Sequence, residues 1–343
     1  GMMTPEGDVI FESEFKEQPT VVVNGMFSVK AGDDNYALYN IDDPKKEVAT
    51  GFTGIGCFAF EKVAPAVKKD KPISIIDKNG EEVVSLGESY SEAHGYFSDG
   101  LLVVGKDIVT KKDGYDETTT KYGAVNKDGE EKIEAKYASL TDFVDGVAVA
   151  TLANDKGETT YYLVNKDGEE TAVSKASEIS EFQDGVALMT VTPKDGGKSE
   201  FYFINKKGEE VFKVSGDGVA SWNKDYFVFL EGTSYGLKKL NEDQEKLITA
   251  KYKDITILGN GNLLVKEGDE YTIVNKDGEK VADKFSYKKA GVLGNGDYFL
   301  VNEGDNYIVV DKNGEAVDKK QTVYGYGSKK TSGSLTYTKK SND

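Results

Sequence analysis

Six stretches of this chain read almost alike. Ile73 opens ISIIDKNGEEV, Tyr122 opens YGAVNKDGEEK and Tyr161 opens YYLVNKDGEET. Phe201 opens FYFINKKGEEV, Tyr271 opens YTIVNKDGEKV and Tyr307 opens YIVVDKNGEAV. Two weaker copies begin at Tyr36 and Tyr235. Successive starts lie 37, 49, 39, 40, 34, 36 and 36 residues apart. The mean of about 39 falls within the period of solenoids and propellers. A chain built this way stacks one small unit many times.

The unit has a physical grammar. An apolar strand runs into Asn/Asp-Lys-Asp/Asn-Gly, then Glu-Glu and a second strand. Asn and Asp tolerate turn conformations, and the glycine supplies a positive φ at the exit. That predicts a tight hairpin on a type I turn followed by a left-handed residue. Gly80, Gly129, Gly168, Gly208, Gly278 and Gly314 hold this place. Calcium is the functional rival for such Asx-rich turns, but the spacing is not that of an EF-hand loop and each turn carries a lysine.

A continuously apolar strand precedes each hairpin: GMFSV from Gly25, CFAF from Cys57, GLLVV from Gly100 and GVAVA from Gly146, then GVALM from Gly185, YFVF from Tyr226, NLLV from Asn262 and YFLV from Tyr298. Such runs are covered on both faces. The strand after the turn is mixed and charged. A fourth short segment ends on Phe143, Phe182 or Leu258. Four short strands graded from buried to polar are what a propeller blade needs. The reading is an all-β, β-propeller-like repeat of about eight four-stranded units, seven to nine being possible. The alternative is an open β-solenoid of hairpins. The units start near residues 25, 56, 100, 146, 185, 225, 261 and 297 of a single domain spanning 1–343. Strand-like text at 8–14 and 334–338 predicts closure by the two chain ends.

Composition narrows the chemistry. There are 343 residues with a net charge of −17, and all 43 basic residues are lysines. One His, one Cys and one Trp leave too few groups for a disulfide framework or a Cys/His zinc site. Arginine forks for phosphate or guanine are absent. The negative charge disfavours nucleic acid and anionic membrane as partners. No apolar run of about 18 residues predicts a membrane span. Nothing at the start reads as a signal peptide, but Gly1 before Met2 has the look of a tag remnant, so a removed leader or lipid anchor stays open. An extracytoplasmic or cell-surface location is expected, with a cytoplasmic one also open.

The copy from Lys121 to Ala150 resembles the bacterial WG-repeat (KWG-repeat) family. Lys121, Tyr122 and Gly123 stand where that family has Lys-Trp-Gly. Asn126, Lys127, Gly129, Ile133, Lys136, Tyr137 and Phe143 follow in its pattern, then Asp145, Gly146, Val147 and Ala148. The resemblance covers roughly residues 20–325. No copy keeps the name-giving Trp, Tyr or Phe standing there in all but the copy from Ile73, which marks a divergent member. The resemblance implies a β repeat engaged in interactions and no particular reaction.

The glutamate pairs Glu81/Glu82, Glu130/Glu131, Glu169/Glu170 and Glu209/Glu210 sit on polar strands, where neighbours point to opposite faces. They read as a solvated face rather than as acid/base pairs. His94 reads as a surface or turn residue, and Cys57 and Trp222 as packing residues. The step of 49 residues comes from an insertion at 105–120, and insertions in repeat arrays fall in loops on one, often working, face. Extended hairpin and binding loop are both open for it. The candidate binding face comprises Lys106, Lys111, Asp113, Tyr115 and Asp116 of the insertion, with Tyr287, Tyr324 and Tyr326 outside the repeated packing positions. No catalytic, metal or cofactor site is assigned. The expected role is a non-catalytic, monomeric binding scaffold for a protein or glycan, cell-envelope associated. A carboxylate-dependent glycan-processing or glycan-binding propeller is the alternative.

Overall fold

The computed structural model describes residues 2–3, 9–11, 15, 17, 19–112, 115–154, 156–303, 306–318 and 335–336. Among these the fold is all-β, a β-propeller of antiparallel, mostly four-stranded blades. The fourth blade is representative. Its strands are Ser139–Leu140, Val147–Ala153, Thr159–Asn165 and Glu170–Val173, hydrogen-bonded in chain order. From the third blade on, each hydrogen-bonded ladder ends within its own blade. A solenoid would instead pair strands of successive units into long sheets.

Eight repeat units give seven repeat sheets, because the first two share one six-stranded sheet. The cause is a single strand, Asp43–Ile55, of 13 residues. Elsewhere the last strand of one blade and the first of the next are separate, as in Glu131–Tyr137 and Ser139–Leu140. Here both roles fall to one uninterrupted strand, whose end pairs Phe52 with Lys68 and Ile55 with Ala66. The chain divides into two compact units. One comprises 1–30, 39–46 and 215–343, and the other 31–38 and 47–214. At the termini, Met2–Met3 pairs with both Val9–Phe11 and Leu335–Thr336.

The hairpins form as the repeat text predicts. Asn126 Oδ1 accepts from Asp128 N at 3.0 Å and Glu130 N at 2.9 Å, and Gly129 N donates to Asn126 O at 3.0 Å. Gly129 has φ +79°, the left-handed exit the turn requires. Asn154 to Glu158 repeats this geometry between the second and third strands of the fourth blade, a further copy hidden by its different place in the unit.

A second turn type also recurs. Asp99-Gly100, Asp145-Gly146 and Asp184-Gly185 all have positive φ at both residues, from 52° to 86°. The flanking residues form two-way bridges, Ser98 with Leu101 and Val144 with Val147. This is the two-residue turn whose twist matches paired strands.

The core lies between blade faces. Ile133 and Tyr137 of the third blade pack with Leu140, Phe143, Ala148 and Val164 of the fourth, all buried. Val149 and Leu163 of the fourth pack with Ile179, Phe182 and Met189 of the fifth. Burying one such phenylalanine is worth about 1.5–3 kcal/mol, so each blade depends on its neighbour. One expected strand is displaced. The text CFAF from Cys57 is irregular, Cys57 is exposed, and the buried strand is Val63–Lys68. The cause is Pro65, which has no N–H to give back to Gly56, although Gly56 N donates to Pro65 O at 2.8 Å. Pairing with the preceding strand stops there and the chain loops out.

Candidate functional site

The insertion is an extended hairpin. Leu102–Lys112 and Tyr115–Val125 pair without a break from Leu102 opposite Val125 to Lys112 opposite Tyr115. On one side the neighbouring strand stops at Gly105, which pairs with Glu92. On the other it stops at Tyr122, which pairs with Tyr137. The remaining arm is two-stranded, seven residue pairs long from Lys106 to Lys112, or roughly 24 Å at strand rise. Ile108, Val109 and the Thr118–Thr120 run give it β-propensity. Its exposed edges carry Lys and Asp/Glu, which resist edge-to-edge aggregation. Tyr115 is 80 % exposed and Val109 61 %.

The root of the arm is tied down. Lys106 Nζ donates to Glu131 Oε2 at 2.5 Å and lies 4.7 Å from the Tyr90 ring centre, while Tyr90 OH donates to Glu131 at 3.1 Å. The Glu131 carboxylate raises the Lys106 pKa, and burial followed by Glu131 raises that of Tyr90. Asp107 Oδ1 accepts from Ser91 Oγ at 2.9 Å and Thr120 Oγ1 at 2.8 Å. A hydrogen bond to Glu92 raises the Tyr122 pKa, with burial second.

The predicted residues thus fall in three places. Lys106, Lys111, Tyr115 and Asp116 share the arm, with Lys106 held at its root and Lys111 4.0 Å from Asp116. Tyr287 belongs to the other compact unit. It is half-buried, edge-on to Phe285 at 5.0 Å, and its hydroxyl donates to Gly314 O at 3.2 Å. Asp113, Tyr324 and Tyr326 lie outside the described residues.

A cleft of about 690 Å³ opens beside the arm root. Its apolar walls include Ile55, Pro65, Tyr90 and Ala93, and its rim carries Asp70, Lys71, Glu88 and Glu92. His94 lines it, half-buried, with Nδ1 2.8 Å from Asp142 Oδ1 in the next blade. Sequence reasoning missed the cleft because its residues come from two units that look ordinary separately.

The glutamate pairs divide their work. In three pairs the first glutamate caps its own turn: Glu130 accepts from Asn126 Nδ2 at 2.9 Å, Glu169 from Asn165 at 2.7 Å and Glu209 from Asn205 at 2.8 Å. The second reaches the preceding blade in two pairs, where Glu170 accepts from Tyr137 OH at 2.5 Å and lies 2.7 Å from Lys136 Nζ and Glu210 pairs with Lys175, whereas Glu82 and Glu131 bond Ser74 and Lys106 of their own sheets. Among the described residues no three His, Cys, Asp or Glu side chains converge to hold a metal. No helix among the described residues is long and apolar enough to cross a membrane.

Residues 122–156 match the family model described as a WG containing repeat. No curated protein matches the chain. Among solved structures it is similar to Hsv2p of Kluyveromyces lactis, at 12 % identity over 52 % of this chain and 62 % of that one, with TM-score 0.34. It is similar to an acylaminoacyl peptidase of Pyrococcus horikoshii at 15 % identity, over 71 % and 49 % respectively, with TM-score 0.40. A Dos1 propeller shows 11 % identity over 97 % and 93 %, with TM-score 0.41. The chain therefore spans less than two thirds of the first two. At such identities no shared activity follows.

Proposed function

We propose that this WG-repeat β-propeller is a non-catalytic interaction scaffold whose hairpin arm, with the cleft at its root, receives a protein or glycan ligand. The observation that carries this reading is the arm: seven residue pairs that extend past both neighbouring strands. The fourth blade completes its sheet without such an arm, and exposed Tyr115 and Val109 at its surface do no packing work for the fold. Rigid repeat scaffolds commonly carry function on such insertions. A cell-envelope setting and a monomeric state go with this proposal, and the charge of −17 sets it against nucleic acid as partner.

Glu130, Glu169 and Glu209 are committed to turns and Glu170 and Glu210 to neighbouring blades, which supports binding over acid/base catalysis at those positions. The test is a glycan array and defined envelope proteins, probed with the intact chain and with a variant in which residues 108–119 are replaced by a two-residue Asn-Gly turn on the Asp107–Thr120 pair. Retention by the intact chain and loss by the variant at unchanged melting temperature is expected. Equal retention by both would remove the arm from the function, and turnover of a bound glycan would favour the enzymatic alternative.

A further inference from the structure

The cleft has a cause in the repeat. In the first strand of a blade, one residue faces the second strand and fills the space toward the preceding blade. Leu140 opposite Ala150, Ile179 opposite Met189 and Ile255 opposite Val265 hold this register, and all three are buried. Ala93, opposite Val104, holds it in the third blade and is only half-buried. The last blade also has a small residue here, Ala290 opposite Val301, but it packs in the cluster that holds Phe285 and Tyr287. Ala93 also packs, partly buried, against the cluster of Ile73, Leu86 and Phe97, yet it lines the open cleft as well. A volume of about 690 Å³ is within the usual range for small-ligand and short-peptide sites.

The rim states the charge of the occupant. Asp70, Glu88 and Glu92 face one cation, Lys71, around apolar Ile55, Pro65 and Tyr90. We propose that this cleft binds a short basic peptide segment, inserting an aliphatic side chain over Ala93, where three other blades place Leu140, Ile179 and Ile255, with flanking lysine or arginine side chains against Glu88 and Glu92. The proposal rests on the binding-scaffold reading and names the partner at the cleft. Its complementarity is that of an apolar anchor inside an oppositely charged rim.

The probes are three fluorescent pentapeptides, Gly-Lys-Leu-Lys-Gly, Gly-Lys-Gly-Lys-Gly and Gly-Glu-Leu-Glu-Gly, titrated by anisotropy against the full chain. The first should bind at least tenfold more tightly than either other. Ala93→Leu, which fills the vacancy as Leu140 does, should weaken it at least tenfold without lowering the melting temperature. Glu88→Lys at the exposed rim should weaken it severalfold, and the wild-type affinity should fall with added salt. Equal affinity for all three peptides, or an affinity untouched by both substitutions, overturns the proposal. If the cleft peptide fails while the arm still captures a glycan or protein, the scaffold reading survives and the cleft assignment does not. Failure at both sites sinks both.

Discussion

Asp99 and Gly146 are 47 positions apart, and the backbone N–H of Gly146 donates to Asp99 Oδ2 at 2.6 Å. The contact repeats one blade on, where Gly185 N donates to Asp145 Oδ2 at 2.8 Å. Each Asp-Gly turn therefore does two jobs. Its glycine and aspartate adopt positive φ to close their own hairpin, and the aspartate side chain holds the glycine of the next turn. A local turn signal becomes a chain of links from blade to blade.

Replacing Asp99 by Asn keeps a residue that tolerates φ near 52° while removing the charge. Loss of a charge-assisted bond should cost about 1 kcal/mol. Asp99→Ala loses the acceptor and strains the turn as well, and should cost about 2–4 kcal/mol. Urea unfolding of the pair checks the order, and Asp145 should behave alike.

Glu170 ties two blades through Lys136 and Tyr137, and those two contacts, the lysine first, hold its carboxyl below the ordinary 4.5. The folded state thus binds fewer protons, so the stabilisation is present above pH 4.5 and is lost as the pH falls through the lower folded value. Glu170→Gln should cost about 1 kcal/mol at pH 7, partial exposure limiting the effect. The difference from wild type should shrink below pH 4.5 in denaturation curves run at several pH values.

Lys238 occupies the core register that Val125 holds in the third blade, and is 5 % exposed. Its ammonium donates to Ser215 O, and to Ser215 Oγ at 2.7 Å, above the Phe229 ring. Burial, with Lys246 second, pushes its pKa below 10.5. The unfolded chain then binds more protons between the two values, so stability rises with pH across that window. Lys238→Met should stabilise by about 1–3 kcal/mol at pH 7, and the gain should shrink as the pH approaches 10.5. A loss of stability at neutral pH would contradict the assignment of a costly buried charge.

Phe143 is fully buried between the third and fourth blades, and its carbonyl accepts from Ser98 Oγ at 2.5 Å. Phe143→Ala should cost about 3–5 kcal/mol. Because adjacent blades share such buried faces, the melting transition that contains the third and fourth blades should fall as one, with no separate transition for one blade.

The sequence made the turns and blades legible for a physical reason: Asn126 to Glu130 is a complete local instruction, with side-chain acceptor, left-handed glycine and cap in five residues. The fused strand Asp43–Ile55 was not legible, because nothing local tells a strand to serve two blades. The apolar run CFAF points Cys57 toward the core, but the residue is exposed, because Pro65 decides where pairing stops. The arm was visible as an insertion, but only its unbroken register shows a hairpin. The cleft needed the comparison of Ala93 with Leu140 and Ile179 at matching register, which depends on long-range pairing.

The most direct test of the scaffold account places a photo-crosslinking residue at Tyr115 on the arm and, separately, at exposed Val83 away from it, and irradiates the chain with envelope proteins or immobilised glycans. The account predicts a discrete adduct from position 115, competed by excess unmodified protein, and none from position 83. Equal labelling from both positions, or none from the arm, would contradict it.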